Sequence, residues 1–202
     1  AASSLHAQES VTTRIDRTST TAQVLGSQYR DAVQQATRAA SRGDLERALE
    51  VLRPALAFCD GLLAQGHRLV SVADQAEYTD YVASAGGGEP VDWVDMACPE
   101  AFHAVAFVAI ERKDADAAFA ALDKATRFAP YWVDPLTERG HLLNMTGKPA
   151  QGLAAYQAAL ALVESHASNR PMHALVLRGI GYSQVELGDL DAAERAYRAS
   201  LE

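Results

Sequence analysis

The feature that most limits what this chain can fold into is a short turn that recurs. Gly43-Asp44-Leu45-Glu46-Arg47-Ala48-Leu49 returns as Gly188-Asp189-Leu190-Asp191-Ala192-Ala193-Glu194, with the same two turn residues and a small Ala five positions after the Gly. Gly suits the left-handed residue that ends a helix, and the following Asp can accept hydrogen bonds from the free backbone N–H groups of the next one. Gly147-Lys148-Pro149 is a third such turn and Lys113-Asp114-Ala115 a fourth. Between turns the apolar residues fall at helical spacing, as in Phe102, Val105, Ala106 and Ala109, then Ala118, Leu122, Ala125 and Phe128. Lys113 to Gly147 is 34 residues, and the same offset carries Ala118 to Gly152, Leu122 to Tyr156 and Ala125 to Ala159. A chain of paired antiparallel helices repeating in phase is the expected result.

With Gly140, Gly181 and Ala106 at the small position of a first helix, the chain resembles the tetratricopeptide repeat family. Ala118, Gly152 and Ala193 match the small position of the second helix, Tyr156 and Tyr197 the large one, and Pro130 the terminal Pro. The resemblance implies an all-α solenoid of helix pairs wound as a right-handed superhelix, with Ala118, Leu122, Tyr156 and Tyr197 buried. It covers about residues 28–60 and 99–202, and the departures carry information. Gly147 to Gly188 is 41 residues, seven beyond the repeat, so the stretch Glu164–Pro171 is expected to lengthen a helix by two turns. Gly43 to Lys113 is 70 residues with no turn between them. The expected organisation is an N-terminal arm over 1–20, a first helix pair over 21–63, an insertion over 64–98 and three pairs over 99–202. Within the insertion, Leu69–Val72 reads as an extended piece and Asp74–Ala85 as a helix ended by Gly86-Gly87-Gly88 and Pro90.

Other classes are excluded by composition. No apolar run reaches the roughly 18 residues of a membrane span, and a formal charge of −8 argues against a phosphate-backbone partner. There is no GxGxxG, phosphate loop, GxSxG or HExxH, so no cofactor is expected. Gly179-Ile180-Gly181 reads as close helix packing. The one catalytic alternative is an enzyme or thiol-redox protein built on Cys98, which precedes Pro99 at an expected helix start where a thiolate is favoured. His103 lies about 140° further round that helix, too far to act as its base. A Cys59–Cys98 bridge is open as another use of the same residue. His166 and His173 are separated by Pro171, which argues against a shared metal site. Leu5-His6-Ala7 before Gln8 suits a processed N-terminus, and export to a periplasmic or secreted location is the expectation over a cytoplasmic one.

The resemblance also implies a binding face, since the first helices of such solenoids line a concave groove. The matching positions are Glu100, His103, Phe107, Ile110 and Glu111, then Asp134, Thr137, His141, Asn144 and Met145, and last Arg178, Tyr182 and Glu186. Apart from Arg178 they lack the basic residues that clamp a peptide carboxylate. A second candidate surface comes from charge. Leu69 to Glu111 contains no Lys or Arg but eight acids, equal to the entire formal charge. Tyr78, Tyr81 and Trp93 are interleaved with Asp92 and Asp95, a mixture suited to a basic, partly apolar protein or peptide. A noncatalytic protein- or peptide-binding scaffold is the expected function, with self-association possible through the uncapped end at Ser200-Leu201-Glu202.

Overall fold

The structure is a computed structural model, and it describes residues 24–84 and 91–202. The expected arm over 1–20 and the Gly86–Pro90 stop lie outside the described residues. Nine α-helices are present among them. The first pair is α1 (Arg30–Ser41) and α2 (Leu45–Ala64). Between it and the second pair run β1 (Arg68–Val70), α3 (Gln75–Ser84) and β2 (Val91–Trp93). Three further pairs follow: α4 (Ala97–Glu111) with α5 (Ala115–Phe128), α6 (Asp134–Met145) with α7 (Pro149–Ser165), and α8 (His173–Glu186) with α9 (Leu190–Ala199).

The recurring turn has one geometry in all four pairs. Gly43, Lys113, Gly147 and Gly188 have φ of 82°, 60°, 73° and 81°. The next residue in each case donates its N–H five positions back, from Asp44 to Ala39, Asp114 to Ala109, Lys148 to Leu143 and Asp189 to Gln184, at 2.9–3.0 Å. That closes each first helix with a Schellman turn. Asp44, Asp114 and Asp189 then accept from the N–H of Arg47, Ala117 and Ala192 and so start each second helix. Lys113 adopts the left-handed conformation without being Gly, which shows that the turn is imposed by the pair it joins.

Small residues set the helix spacing. The Tyr156 ring lies between α6 and α8: a Cβ on Gly140 would fall 2.7 Å from it, and one on Gly179 only 2.2 Å. Gly179 and Gly181 are thus packing residues, as their sequence suggested. Ala118, Leu122 and Tyr156 are buried as expected. Tyr197 is not, since it is 36% exposed; it packs toward Gly181, and no described helix follows to cover its other face. Charged pairs tie neighbouring pairs together, including Lys124 to Asp60 at 2.7 Å, Arg112 to Glu46 and Arg139 to Asp123.

The seven extra residues do not simply lengthen a helix. His166 is extended (φ −123°, ψ 120°) and Ala167–Met172 forms a short 3₁₀ segment containing Pro171, because Pro171 cannot donate to a continuing α-helical ladder. The insertion holds a parallel two-stranded ladder, β1 to β2, with Leu69 opposite Asp92. Val91–Trp93 was not expected to be a strand; three residues are too few to show alternation.

Candidate functional site

Cys59 on α2 and Cys98 in the first turn of α4 form a disulfide, with an S–S distance of 1.97 Å, and both are buried. The bridge closes the base of the insertion. In this bridged form Cys98 has no free thiol to act as a nucleophile.

From that base the insertion runs along the edge where each second helix hands over to the next pair. The Ser71 N–H donates to the carbonyl of Phe128 at the end of α5. Further along, the buried Glu77 accepts from the Ala73 N–H at 2.6 Å and from the Ser168 hydroxyl at 2.7 Å. Asp80 lies 3.0 Å from Nε2 of the buried His166, whose ring packs at a tilt against Tyr131, centroids 4.7 Å apart. The 3₁₀ segment left over from the repeat is thus the anchor for the insertion, and Asn169 holds it by donating to the Tyr131 carbonyl.

The insertion, the first pair and the start of α4 line a half-open cavity of about 700 Å³. Its floor is Arg30 and Gln34 on α1 with Met96 and Glu100 at the start of α4, and its roof includes Tyr78 and Trp93. Tyr78 and Tyr81 pack on Trp93, with ring centroids 4.7 and 6.0 Å apart. Burial, helped by nearby Asp95, pushes the Glu100 carboxyl above its usual range, while Arg30 opposes this.

Glu100, His103, Phe107 and Glu111 follow at three- and four-residue steps along α4, so they share one face. His103 lies against Trp132, ring centroids 5.0 Å apart, and its Nε2 has no hydrogen-bond partner among the described residues. Burial lowers its pKa, opposed by Glu138 and Asp134. Phe107 and Tyr182 are 37% and 46% exposed. His141, Met145, Arg178 and Glu186 are exposed as well, and Asp134 and Ile110 are half-buried.

Several expected contact residues lie elsewhere. Asn144 is buried and donates to the Ser183 hydroxyl at 2.9 Å, joining α6 to α8. Thr137 is buried and bonded within its own helix. Asp95 is buried, accepting from Arg30 Nε at 2.8 Å and from the Ala97 N–H at 3.0 Å. Tyr78 is buried under Trp93. Asn144 and Thr137 thus serve the helix packing, while Asp95 and Tyr78, though buried, remain on the lining of the cavity. Asp92 is partly exposed and paired with His67 at 2.9 Å. Gln34, Arg30 and Glu138 join the site without having been singled out. Only Glu138 had a signal, standing four after Asp134 and three before His141.

Among the described residues no group of His, Cys, Asp and Glu could hold a metal, and no helix is long and apolar enough to cross a membrane. Four stacked helix pairs with an open face define a helical-repeat interaction scaffold as the class of protein. Residues 134–202 match the tetratricopeptide repeat family model. That segment carries the family's repeats, and the same turn geometry at Gly43 and Lys113 gives the earlier helix pairs the same architecture. No curated protein sequence matches it. Similar solved structures include a MamA protein, with 14% identity over 88% of this chain and 92% of the other at a TM-score of 0.46. Another is TTC0263, a thermophilic TPR protein in Thermus thermophilus, with 19% identity over 85% and 89% and a TM-score of 0.39.

Proposed function

We propose that the chain is a noncatalytic protein- or peptide-binding scaffold whose groove and acidic insertion face engage a partner presenting Lys or Arg. The observation that supports this most is the continuity of the α4 stripe: Glu100 belongs to the cavity floor and shares a helix face with His103, Phe107 and Glu111. Asp134, His141, Arg178 and Tyr182 extend the same surface along the later first helices, while Asp92, Trp93 and Tyr81 border it from the insertion. Aromatic rings among carboxylates suit a basic segment with apolar flanks. Selection from a randomised peptide library tests the reading. Enrichment of Lys or Arg is expected, with affinity lost in Phe107→Ala/Tyr182→Ala and falling as ionic strength rises, because salt screens exposed charge. Salt-independent binding unaffected by the double substitution would overturn it. Exposed Leu187, Leu190 and Leu201 on the last pair support a second, weaker contact between copies of the chain, read by sedimentation across a concentration series.

A further inference from the structure

The cavity under the insertion differs from the groove in being half-enclosed, aromatic on one side and unevenly charged. At about 700 Å³ it falls within the range of sites that enclose a small ligand or a large side chain. Its apolar wall is built by Val24, Leu25, Val91 and Val94 with the Trp93 ring. Four carboxylates reach its lining, from Asp74, Asp92, Asp95 and Glu100, against one guanidinium, from Arg30.

Three of those carboxylates are already engaged. Asp74 accepts the N–H groups of Ala76 and Glu77 and starts α3. Asp92 is paired with His67, and Asp95 with Arg30 and the Ala97 N–H. Glu100 is different. It is half-buried on the floor and accepts no hydrogen bond from any described residue. Its surroundings disfavour the ionised carboxylate, so a positive charge brought beside it would be held more strongly than at an open surface.

We propose that this cavity is a binding site for an organic cation on an apolar stem, an ammonium or guanidinium seated against Glu100 with its stem along Trp93. The carboxylate supplies the charge-assisted hydrogen bond, and the ring offers an apolar face for the stem. Gln34, four residues after Arg30 on α1, adds a neutral acceptor at the floor. The same chemistry arrives either as a free amine or as a Lys or Arg side chain of a partner. The inference deepens the proposed function and rests on it only in treating this face as a binding surface.

Trp93 and Trp132 are the two tryptophans of the chain, so Trp132→Phe leaves Trp93 as the sole reporter. In that background n-hexylammonium is expected to change Trp93 emission saturably, and 1-hexanol at equal concentration to leave it unchanged. Glu100→Gln is expected to weaken the amine at least tenfold, whereas Glu164→Gln, exposed near the end of α7, leaves it within twofold. A capped Ala-Leu-Lys-Leu-Ala peptide and its norleucine counterpart separate the two sources. Tighter binding of the Lys peptide than of the free amine assigns the site to a partner's side chain, and the reverse assigns it to a small ligand. An emission change that fails to saturate, that hexanol reproduces, or that survives Glu100→Gln with circular dichroism intact would overturn the proposal. Phe107 and Tyr182 lie outside the cavity, so an intact Trp93 response beside unaltered peptide selection in their double variant would fail the scaffold reading alone.

Discussion

Ser168 donates a 2.7 Å hydrogen bond to Oε1 of Glu77 across 91 residues of sequence. Both members come from places where the chain departs from its repeat: Glu77 from the insertion, Ser168 from the extra residues between α7 and α8. Each departure is the other's support, since the two oxygens of the buried Glu77 accept from Ala73 within the insertion and from Ser168 outside it.

Ser168→Ala should therefore loosen the insertion without unfolding the solenoid. Removing one partner leaves a buried carboxylate oxygen without its bond, a loss of about 1–3 kcal/mol. Hydrogen exchange is expected to rise across α3 while α6 to α9 stay protected. Equal protection of α3 in both proteins would show that the contact does not hold the insertion.

The repeat was legible because its physics is local and recurs. A left-handed Gly and a capping Asp declare the turn, and a 34-residue offset puts Leu122 and Tyr156 at equivalent positions, so Tyr156 could be assigned a large packing position from spacing. The insertion was legible only in part: α3 and β1 could be read, whereas β2 and the docking of Glu77 on Ser168 depend on contacts between segments that no periodicity links. The binding face fared similarly. Residues on one helix face could be grouped, but Asn144 and Asp95 turn inward because Ser183 and Arg30, distant in sequence, meet them there. Tyr197 erred the other way, since burial at that position needs a following helix.

Tyr156 is clamped from both sides, and this decides the effect of a Cβ on either side. Gly179→Ala gains roughly 1 kcal/mol of helix propensity, yet its methyl would meet the ring at 2.2 Å while Gly140 blocks retreat on the opposite side. Overpacking of about 1–3 kcal/mol should win, giving net destabilisation in denaturant titration. Tyr156→Ala should cost about 3–5 kcal/mol. If the clash is the cause, Gly179→Ala should cost less in the Tyr156→Leu background; an equal cost in both would place the effect elsewhere.

The Cys59–Cys98 bridge spans 39 residues of sequence, and closing a loop of that length restricts the unfolded chain by about 4 kcal/mol in the chain-entropy account. Thiol titration of the denatured, unreduced protein should find no free cysteine. Cys59→Ser/Cys98→Ser should unfold at lower denaturant with its helical circular dichroism retained before the transition. Unchanged stability would mean that the base of the insertion is held by packing alone.

His103 supplies a pH dependence whose sign follows from its burial. Desolvation holds its folded pKa below the ordinary 6.5, with Glu138 and Asp134 pulling only partly the other way. The unfolded chain therefore takes up the proton first. The contribution of His103 to stability is complete above pH 6.5 and is lost as pH falls through its folded value. Glu100 acts with the opposite sign: its ionised form is disfavoured in the fold, so its cost is present at neutral pH and relieved on acidification. Comparing wild type with His103→Leu between about pH 7 and 5 cancels Glu100 and every other group common to both. The wild type is expected to lose more stability over that interval than the variant. Parallel stability profiles would show that His103 takes up its proton as readily in the folded protein as in the unfolded chain, and so is not desolvated beside Trp132.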